Sequence, residues 1–188
     1  MIRSSVFVAA LVLAACGPIG PVIPDAGPFD AGTGILPVTC VSNVKWTMGN
    51  QGNEGMNPGL ACRSCHLGQN FMGQNPNLES NQSWAMFFMG TVYSGFNEAN
   101  LCLAKSVPAG TVVEILDSTG ALVLTLPVNA AGNFRSNSVD AGLSLPYRAR
   151  VRSNGMLRAM GAAQMNGDCN SCHTEQGRES APGRIVWP

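Results

Sequence analysis

Residues 111–126 read TVVEILDSTGALVLTL, and this stretch decides the fold of the middle of the chain. Thr111 to Leu116 is rich in β-branched side chains, which favour strands. Asp117 to Gly120 has the composition of a tight turn, because Asp bonds its own backbone and Gly adopts positive φ at no steric cost. Ala121 to Leu126 supplies the return strand, and Pro127 stops it or marks a sheet edge. The stretch therefore predicts an antiparallel hairpin.

Further strand patterns flank this hairpin. Residues 87–93, FFMGTVY, form an apolar run with aromatic side chains, and residues 129–134 combine a turn signal with the start of a strand. Residues 145–152 alternate apolar side chains with arginines, as a half-buried strand does. Short strands at this spacing predict a small antiparallel β-sandwich. We therefore expect an α+β or mainly β fold, in which this sandwich is flanked by loop-rich segments with short helices.

Two short motifs lie on either side of the predicted sandwich. Residues 62–66 read CRSCH and residues 169–173 read CNSCH, and together they contain both histidines of the chain. C-x-x-C-H is the attachment pattern of a c-type haem, in which two cysteines form thioethers and a tight turn lets the histidine ligate the iron. The sequence therefore predicts two covalent haems c. Their attachment residues are Cys62, Cys65, Cys169 and Cys172, and their proximal iron ligands are His66 and His173.

Two other uses of paired cysteines compete with haem. Four thiolates in two C-x-x-C pairs are the ligand set of a tetrahedral zinc site, but zinc leaves the two trailing histidines without a role. A thioredoxin-like dithiol needs a preceding strand and a βαβ context, whereas both motifs here follow segments rich in Gly and Asn. Haem is the favoured interpretation, and zinc is the main alternative.

The second axial ligand of each iron must be a residue other than histidine, because both histidines belong to the motifs. Most methionines fill gaps in cores, but two stand out by their position. Met56 precedes a Pro-Gly turn six residues before Cys62, and Met160 follows an arginine-bearing amphipathic run nine residues before Cys169. We expect Met56 and Met160 as distal ligands. A thioether ligand raises the reduction potential of the iron and occupies its sixth coordination position. It therefore favours electron transfer over catalysis.

The N-terminus has the pattern of a bacterial export signal. Arg3 precedes an apolar run from Val6 to Ala15 that is too short to span a bilayer. Residues 13–16, LAAC, resemble the lipobox of lipoproteins, in which the signal is cut before the cysteine and the cysteine is acylated. An ordinary secretory peptide is the alternative. The lipobox resemblance implies a chain anchored by lipid on Cys16 to the outer membrane, at its periplasmic face or at the cell surface.

Two cysteines remain after lipid and haem are assigned. Cys40 and Cys102 are expected to form a disulfide, because export leads to an oxidising compartment. Closing a loop of about 60 residues contributes about 4 kcal/mol on a chain-entropy estimate.

Charge is sparse. The formal net charge is zero and only 12% of residues are charged, so nothing indicates nucleic-acid binding. Arg148, Arg150 and Arg152 alternate along one predicted strand face, and Arg158 follows. They are interpreted as a solvated face of an edge strand, or as a surface that pairs with haem propionates or docks an acidic redox partner.

The chain divides into five segments with different compositions. They are a signal peptide (1–15), a lipid-anchored tether rich in Pro and Gly (16–37), a first haem segment (38–87), the β-sandwich (88–153), and a second haem segment with a C-terminal tail (154–188). We expect the tail to be extended and wrapped on the core.

The order of these segments resembles that of exported bacterial dihaem c-type cytochromes. The middle segment resembles transthyretin-like or carboxypeptidase-regulatory-like β-modules, on the strand and D-x-x-G turn of residues 113–120 and the G-x-F of residues 132–134. The resemblance implies a membrane-tethered electron carrier rather than an enzyme. It would exchange electrons with a redox partner protein or with an extracellular acceptor or donor.

Two alternative functions stay open. A dihaem peroxidase needs an open iron and a distal acid or base; Glu54, Glu98 and Glu175 are candidate acids, but no sequence feature singles them out. A surface-binding module stabilised by haem would use exposed aromatic side chains, but Tyr93 and Tyr147 are expected in the core.

Overall fold

The computed structural model of the chain describes residues 39–62, 88–136 and 145–188. Within these residues there are seven strands and a short 3-10 helix, so the fold is mainly β, as predicted. In chain order they are β1 (Met89–Tyr93), β2 (Val112–Leu116), β3 (Leu122–Pro127), β4 (Asn133–Arg135), β5 (Arg148–Ser153), β6 (Met156–Ala159), the 3-10 helix (Cys169–Ser171) and β7 (Ile185–Val186).

The strands form two sheets that share one hydrophobic core. One sheet has the order β4-β1-β7 and the other the order β3-β2-β5-β6. Each neighbouring pair is antiparallel except β1 and β7, which are parallel. The predicted small β-sandwich is therefore confirmed, with one parallel pairing added. Its core contains Phe88, Val92, Val113, Ile115, Leu126, Phe134, Tyr147, Ala149, Val151 and Cys169.

The predicted hairpin forms between β2 and β3. Its register runs from Val112 opposite Pro127 to Leu116 opposite Leu122. In the turn, Asp117 Oδ1 accepts hydrogen bonds from the backbone N–H groups of Thr119, at 2.8 Å, and Ala121, at 3.0 Å. These bonds explain why an aspartate begins this turn. Its carboxylate accepts from backbone N–H groups of the turn that do not bond to the neighbouring strand.

The β5 arginines correct one expectation from the sequence. β5 lies between β2 and β6, so Arg148, Arg150 and Arg152 are not on an edge strand. Glu114 on β2 accepts hydrogen bonds from Arg150 Nε and Arg152 Nε, each at 2.6 Å, and its side chain is only 4% exposed. Hydrogen bonds from Arg152 and Arg150 lower the pKa of Glu114 despite its burial. Two of the three arginines thus compensate a buried acid.

β6 is a strand that the sequence analysis did not assign. Asn154 and Gly155 join β5 to β6 with φ of 50° and 76°, the positive values that a two-residue hairpin turn requires. The pairing places Ser153 opposite Met156 and Val151 opposite Arg158. Because Val151 belongs to the core, Arg158 lies on the core-facing side of the sheet.

The C-terminal tail is extended and packs on the sandwich. β7 pairs with β1, with Val92 opposite Ile185 and Tyr93 opposite Val186. Tyr93 and Tyr147 are both buried, as expected. The C-terminal segment therefore supplies a strand to the three-stranded sheet.

A disulfide joins Cys40 to Cys102 across a sequence separation of 62 residues. Trp46 N–H donates to Leu101 O at 2.7 Å, and Leu103 N–H donates to Val44 O at 3.0 Å. These bonds hold the segment before the first C-x-x-C-H motif against the loop that follows β1. Across the residues described, no helix has the length and apolar character needed to cross a membrane.

We expect Glu114→Gln to lower the free energy of unfolding by about 1–2 kcal/mol at pH 7, because a charge-assisted acceptor is lost while its arginine partners are part-exposed. The folded pKa of Glu114 lies below the ordinary value of 4.5. Its stabilisation is therefore present above pH 4.5 and disappears as the pH falls through the lower folded value. Urea unfolding at several pH values measures this. Equal stability at pH 7 for Glu114→Gln and for the exposed control Glu179→Gln would contradict the account.

Candidate functional site

The second C-x-x-C-H motif forms a tight helical turn against β1. Cys172 N–H and His173 N–H both donate to Cys169 O, at 3.3 and 2.9 Å. Met89 N–H donates to Gly167 O at 3.0 Å, which brings the motif to the start of β1. A Cβ atom at Gly90 would lie 3.0 Å from Cys169 Cβ and 2.8 Å from Phe134 Cζ. The close approach of the motif to β1 thus requires a glycine there.

The His173 ring is oriented by the C-terminal tail. His173 Nδ1 lies 2.8 Å from Gly183 O. A carbonyl oxygen only accepts, so Nδ1 carries the proton and Nε2 keeps its lone pair. Burial, the largest effect, lowers the pKa of His173 and favours the neutral ring. A neutral imidazole with Nδ1–H held by a carbonyl is the usual form of a histidine that ligates a metal through Nε2.

A mostly apolar cavity of about 420 Å³ lies beside this histidine. Cys169, Cys172 and His173 line one side, and Val113 and Val151 of the four-stranded sheet line another. The volume is within the usual range for cofactor and ligand sites. The site is therefore a cleft between the sheet and the second motif.

Met160 lines the same cavity as His173. Its backbone N–H donates to Ala149 O at 2.9 Å, so it continues the β5–β6 pairing by one residue. Because side chains alternate along a strand, Met160 lies on the core-facing side with Arg158. The β5–β6 hairpin thus brings the predicted distal ligand to the cavity of the predicted proximal ligand. Met56 is not among the residues that line this cavity.

The cavity also has a cationic wall. Arg158 lines it, with its guanidinium carbon 5.6 Å from the centroid of the Phe96 ring. Arg150 lines it as well, but its Nε is bonded to Glu114. Arg158 differs from Arg150 in that its contact is a cation–π pair with Phe96, which leaves its N–H groups for an anion.

The first C-x-x-C-H motif is described only at its first residue. The thiol of Cys62 lies 3.6 Å from Leu60 O, whereas Cys65 and His66 lie outside the described residues, as does Cys16. Just before the motif, Gly59 N–H donates to Thr91 Oγ1 at 2.9 Å. The first motif therefore starts next to β1, as the second one does.

Two buried side chains join the second motif to the segment just before the first one. Asn170, inside the second motif, donates from Nδ2 to Leu60 O at 2.9 Å and accepts at Oδ1 from Thr91 N–H at 3.0 Å. Arg184 donates from Nη1 to Gly59 O at 2.8 Å and to His173 O at 3.2 Å. The sequence analysis assigned no role to either residue, because neither side chain belongs to a ligand pattern.

The cysteines of the second motif are in different states. Burial raises the pKa of Cys169 to about 12, so its thiol is protonated. Cys172 is disulfide-bonded. A thioether to porphyrin needs the reduced thiol, so attachment at this motif requires that disulfide to be opened first.

The acids considered for peroxidase chemistry lie elsewhere. Glu54, Glu98 and Glu175 are not among the cavity-lining residues. Glu98 is buried beside Cys40 and Cys102, with ligand atoms within 4.8 Å of one another. Both sulfurs are already bonded in the disulfide, so this cluster is not a metal site as it stands.

No protein-family model, curated protein or solved structure matches this chain. Its function is therefore argued from the chemistry of the site alone.

We expect Gly90→Ala to destabilise the fold by about 1–3 kcal/mol, because the added methyl overlaps the rigid Cys169 Cβ and the packed Phe134 ring. Gly95→Ala is the matched control, since a Cβ there meets nothing within 4 Å. Urea unfolding of both variants measures the difference. If Gly90→Ala were as stable as Gly95→Ala, the close approach of the second motif to β1 would be wrong.

Proposed function

We propose that this chain is an exported, membrane-tethered dihaem c-type cytochrome that transfers one electron at a time. The observation that carries the proposal is the His173 ring. Its Nδ1–H is held by Gly183 O, its Nε2 is left for a metal, and Met160 lines the same apolar cavity. This is the arrangement that a His/Met iron site requires.

The residues of both motifs match the chemistry of haem c. Cys169 and Cys172 would hold one porphyrin and His173 its iron, and Cys62, Cys65 and His66 would hold the other. When bound, haem supplies a metal that cycles between two oxidation states. The chain orients the imidazole of His173, and the apolar side chains of the cavity exclude water and favour the less charged ferrous state.

Arg158 suits the anionic edge of the porphyrin. Its guanidinium packs over Phe96 at the cavity wall and still has N–H groups directed outside that ring contact. A carboxylate bound there gains a charge-assisted hydrogen bond. We assign the propionate-binding role to Arg158 rather than to Arg150 and Arg152, because the latter two neutralise Glu114.

The electron carrier would be held near its partners by lipid on Cys16. Its partner would be another redox protein or an extracellular electron acceptor or donor. The sparse charge of the chain suits neither nucleic acid nor a highly charged substrate.

A second candidate is a haem-free protein stabilised by its paired cysteines. The observation that favours it is the disulfide at Cys172. In that case the cavity beside His173 would hold another ligand, or the cysteine pairs would bind zinc in the reduced protein. The two candidates predict different masses for the exported protein.

Intact-protein mass spectrometry of the exported chain should show the mass of two haems and of acyl groups on a chain that starts at Cys16. The haem mass is expected because covalent thioethers survive denaturation. A control with Cys169→Ala and Cys172→Ala should carry one haem. A colourless wild-type chain with intact disulfides, or with zinc bound, would contradict the proposal.

We expect Met160→Ala to remove the thioether-to-iron charge-transfer band of one oxidised haem and to make that haem high-spin, because the iron loses its sixth ligand. The opened iron should also react with peroxide, which the wild type should not. Optical spectra of the oxidised proteins measure both effects. Met165→Ala is the control, since this side chain is 52% exposed and does not line the cavity. An unchanged band in Met160→Ala would rule out Met160 as a ligand.

A further inference from the structure

A buried carboxylate lies beside the Cys40–Cys102 disulfide. Glu98 is only 3% exposed, and one of its carboxylate oxygens and the two sulfur atoms lie within 4.8 Å of one another. Oε1 accepts a hydrogen bond from Val41 N–H at 2.9 Å, whereas Oε2 has no hydrogen-bond partner among the described residues. Burying a carboxylate oxygen without a partner is costly. Its place beside a disulfide therefore points to a chemical role for this side chain.

Contacts that use no sulfur atom bring the carboxylate and the two cysteines together. Backbone hydrogen bonds join residues 44–46 to residues 101–103. Arg184 Nε donates to Glu98 O at 2.8 Å, and the Glu98 carboxylate holds the backbone of the residue that follows Cys40. These bonds do not depend on the S–S bond, so they align the two thiols and the carboxylate before that bond forms.

The two cysteines differ in their access to an external reactant. Cys40 is 4% exposed and lies between the exposed residues Thr39 and Val41, whereas Cys102 is 0% exposed. An external disulfide therefore reaches Cys40 first. The thiolate, not the thiol, attacks a disulfide, and burial disfavours the thiolate. The Cys102 thiol thus needs a base inside the protein to take its proton.

We propose that Glu98 is the proton acceptor that completes the Cys40–Cys102 disulfide, an activity that goes beyond electron transfer and needs no haem. In the first step Cys40 Sγ attacks an external disulfide, forms a mixed disulfide and releases one thiol. In the second step the Cys102 thiol gives its proton to Glu98, and its sulfur attacks Cys40 Sγ. The other half of the external disulfide leaves as a thiolate and takes the proton from Glu98. Two protein thiols are thus oxidised, one external disulfide is reduced to two thiols, and the carboxylate is regenerated.

The experiment follows re-formation of this one bond in the full-length chain. The protein is reduced with a phosphine, shown by circular dichroism to be folded, freed of reductant and mixed with oxidised glutathione. Alkylation and peptide mass spectrometry then measure the Cys40–Cys102 bond and any glutathione on Cys40. Glu98→Gln should slow the bond about 100-fold at pH 7 and accumulate the mixed disulfide, because a positioned base contributes at least this much. Glu54→Gln is the control, since that side chain is 79% exposed, and it should match the wild type.

The pH dependence separates a base from a structural side chain. The other charged or titratable groups around Glu98 are Arg184, Tyr93, whose OH donates to Cys102 O at 3.0 Å, and the exposed Lys45, which forms a β-bridge with Cys102. Arg184 stays charged, burial raises the pKa of Tyr93 so that it stays neutral, and all three are unchanged in Glu98→Gln. The rate of this variant should rise steeply with pH and approach the wild-type rate at about pH 9, where a thiol ionises without a base.

Glu98→Asp keeps the carboxylate on a shorter side chain, so it should close the bond more slowly than the wild type but with the wild-type pH dependence. A wild-type rate in Glu98→Gln, or an equal slowing at every pH, would overturn the inference. If reduced Glu98→Gln does not fold, Glu98→Asp decides alone. A retained pH dependence then supports the base, and a steep rise of the rate with pH refutes it.

Discussion

The hydrogen bonds of two buried side chains, Asn170 and Arg184, hold together the segments that surround the candidate site. They join the segment before Cys62 to the second C-x-x-C-H motif, and Asn170 also binds the backbone of β1 through Thr91. The contacts span 110 and 125 residues of sequence. The side chains of Asn170 and Arg184 are buried, so losing one of their bonds leaves an unsatisfied donor or acceptor at a cost of about 1–3 kcal/mol. The second motif and the segment just before Cys62 are thus fixed to the sandwich and to each other.

The sandwich does more than support the motifs. Its β5–β6 hairpin reaches beyond the core and brings Met160 and Arg158 to the cavity that His173 lines. The tail completes the arrangement, because β7 pairs with β1 and Gly183, two residues earlier, accepts the His173 Nδ1–H. His173, the carbonyl that orients its ring and the Met160 thioether therefore come from three parts of the chain that only the folded sheet assembles.

Local signals predicted the strands well. The β2–β3 hairpin was readable because β-branched runs flank an Asp-Gly turn, and Gly132 before Phe134 marked β4. β6 was missed although Asn154-Gly155 is a strong hairpin signal, because the short run after it, Met156 to Ala159, lacks the alternation of a half-buried strand. The edge-strand interpretation of Arg148, Arg150 and Arg152 was wrong, because β5 is paired on both sides, with β2 and with β6.

The site was predictable only in part. The C-x-x-C-H spacing marks His173 as a ligand, and counting back from Cys169 singled out Met160. Asn170, Arg184 and Gly183 act through contacts between segments that are distant in sequence, so no local sequence pattern predicts their roles. Gly90 likewise looks like an ordinary strand glycine until Cys169 is placed against it.

The most direct test of this account is to map haem to peptides of the purified chain. Protease cleavage after glutamate separates residues 62–66 from residues 169–173, since Glu79, Glu98 and Glu114 lie between them and neither motif contains a glutamate. A pyridine haemochrome spectrum of each purified peptide then counts the haem that it carries. The account predicts one thioether-linked haem on each peptide. Peptides without haem, joined instead by a disulfide at Cys172, would contradict it.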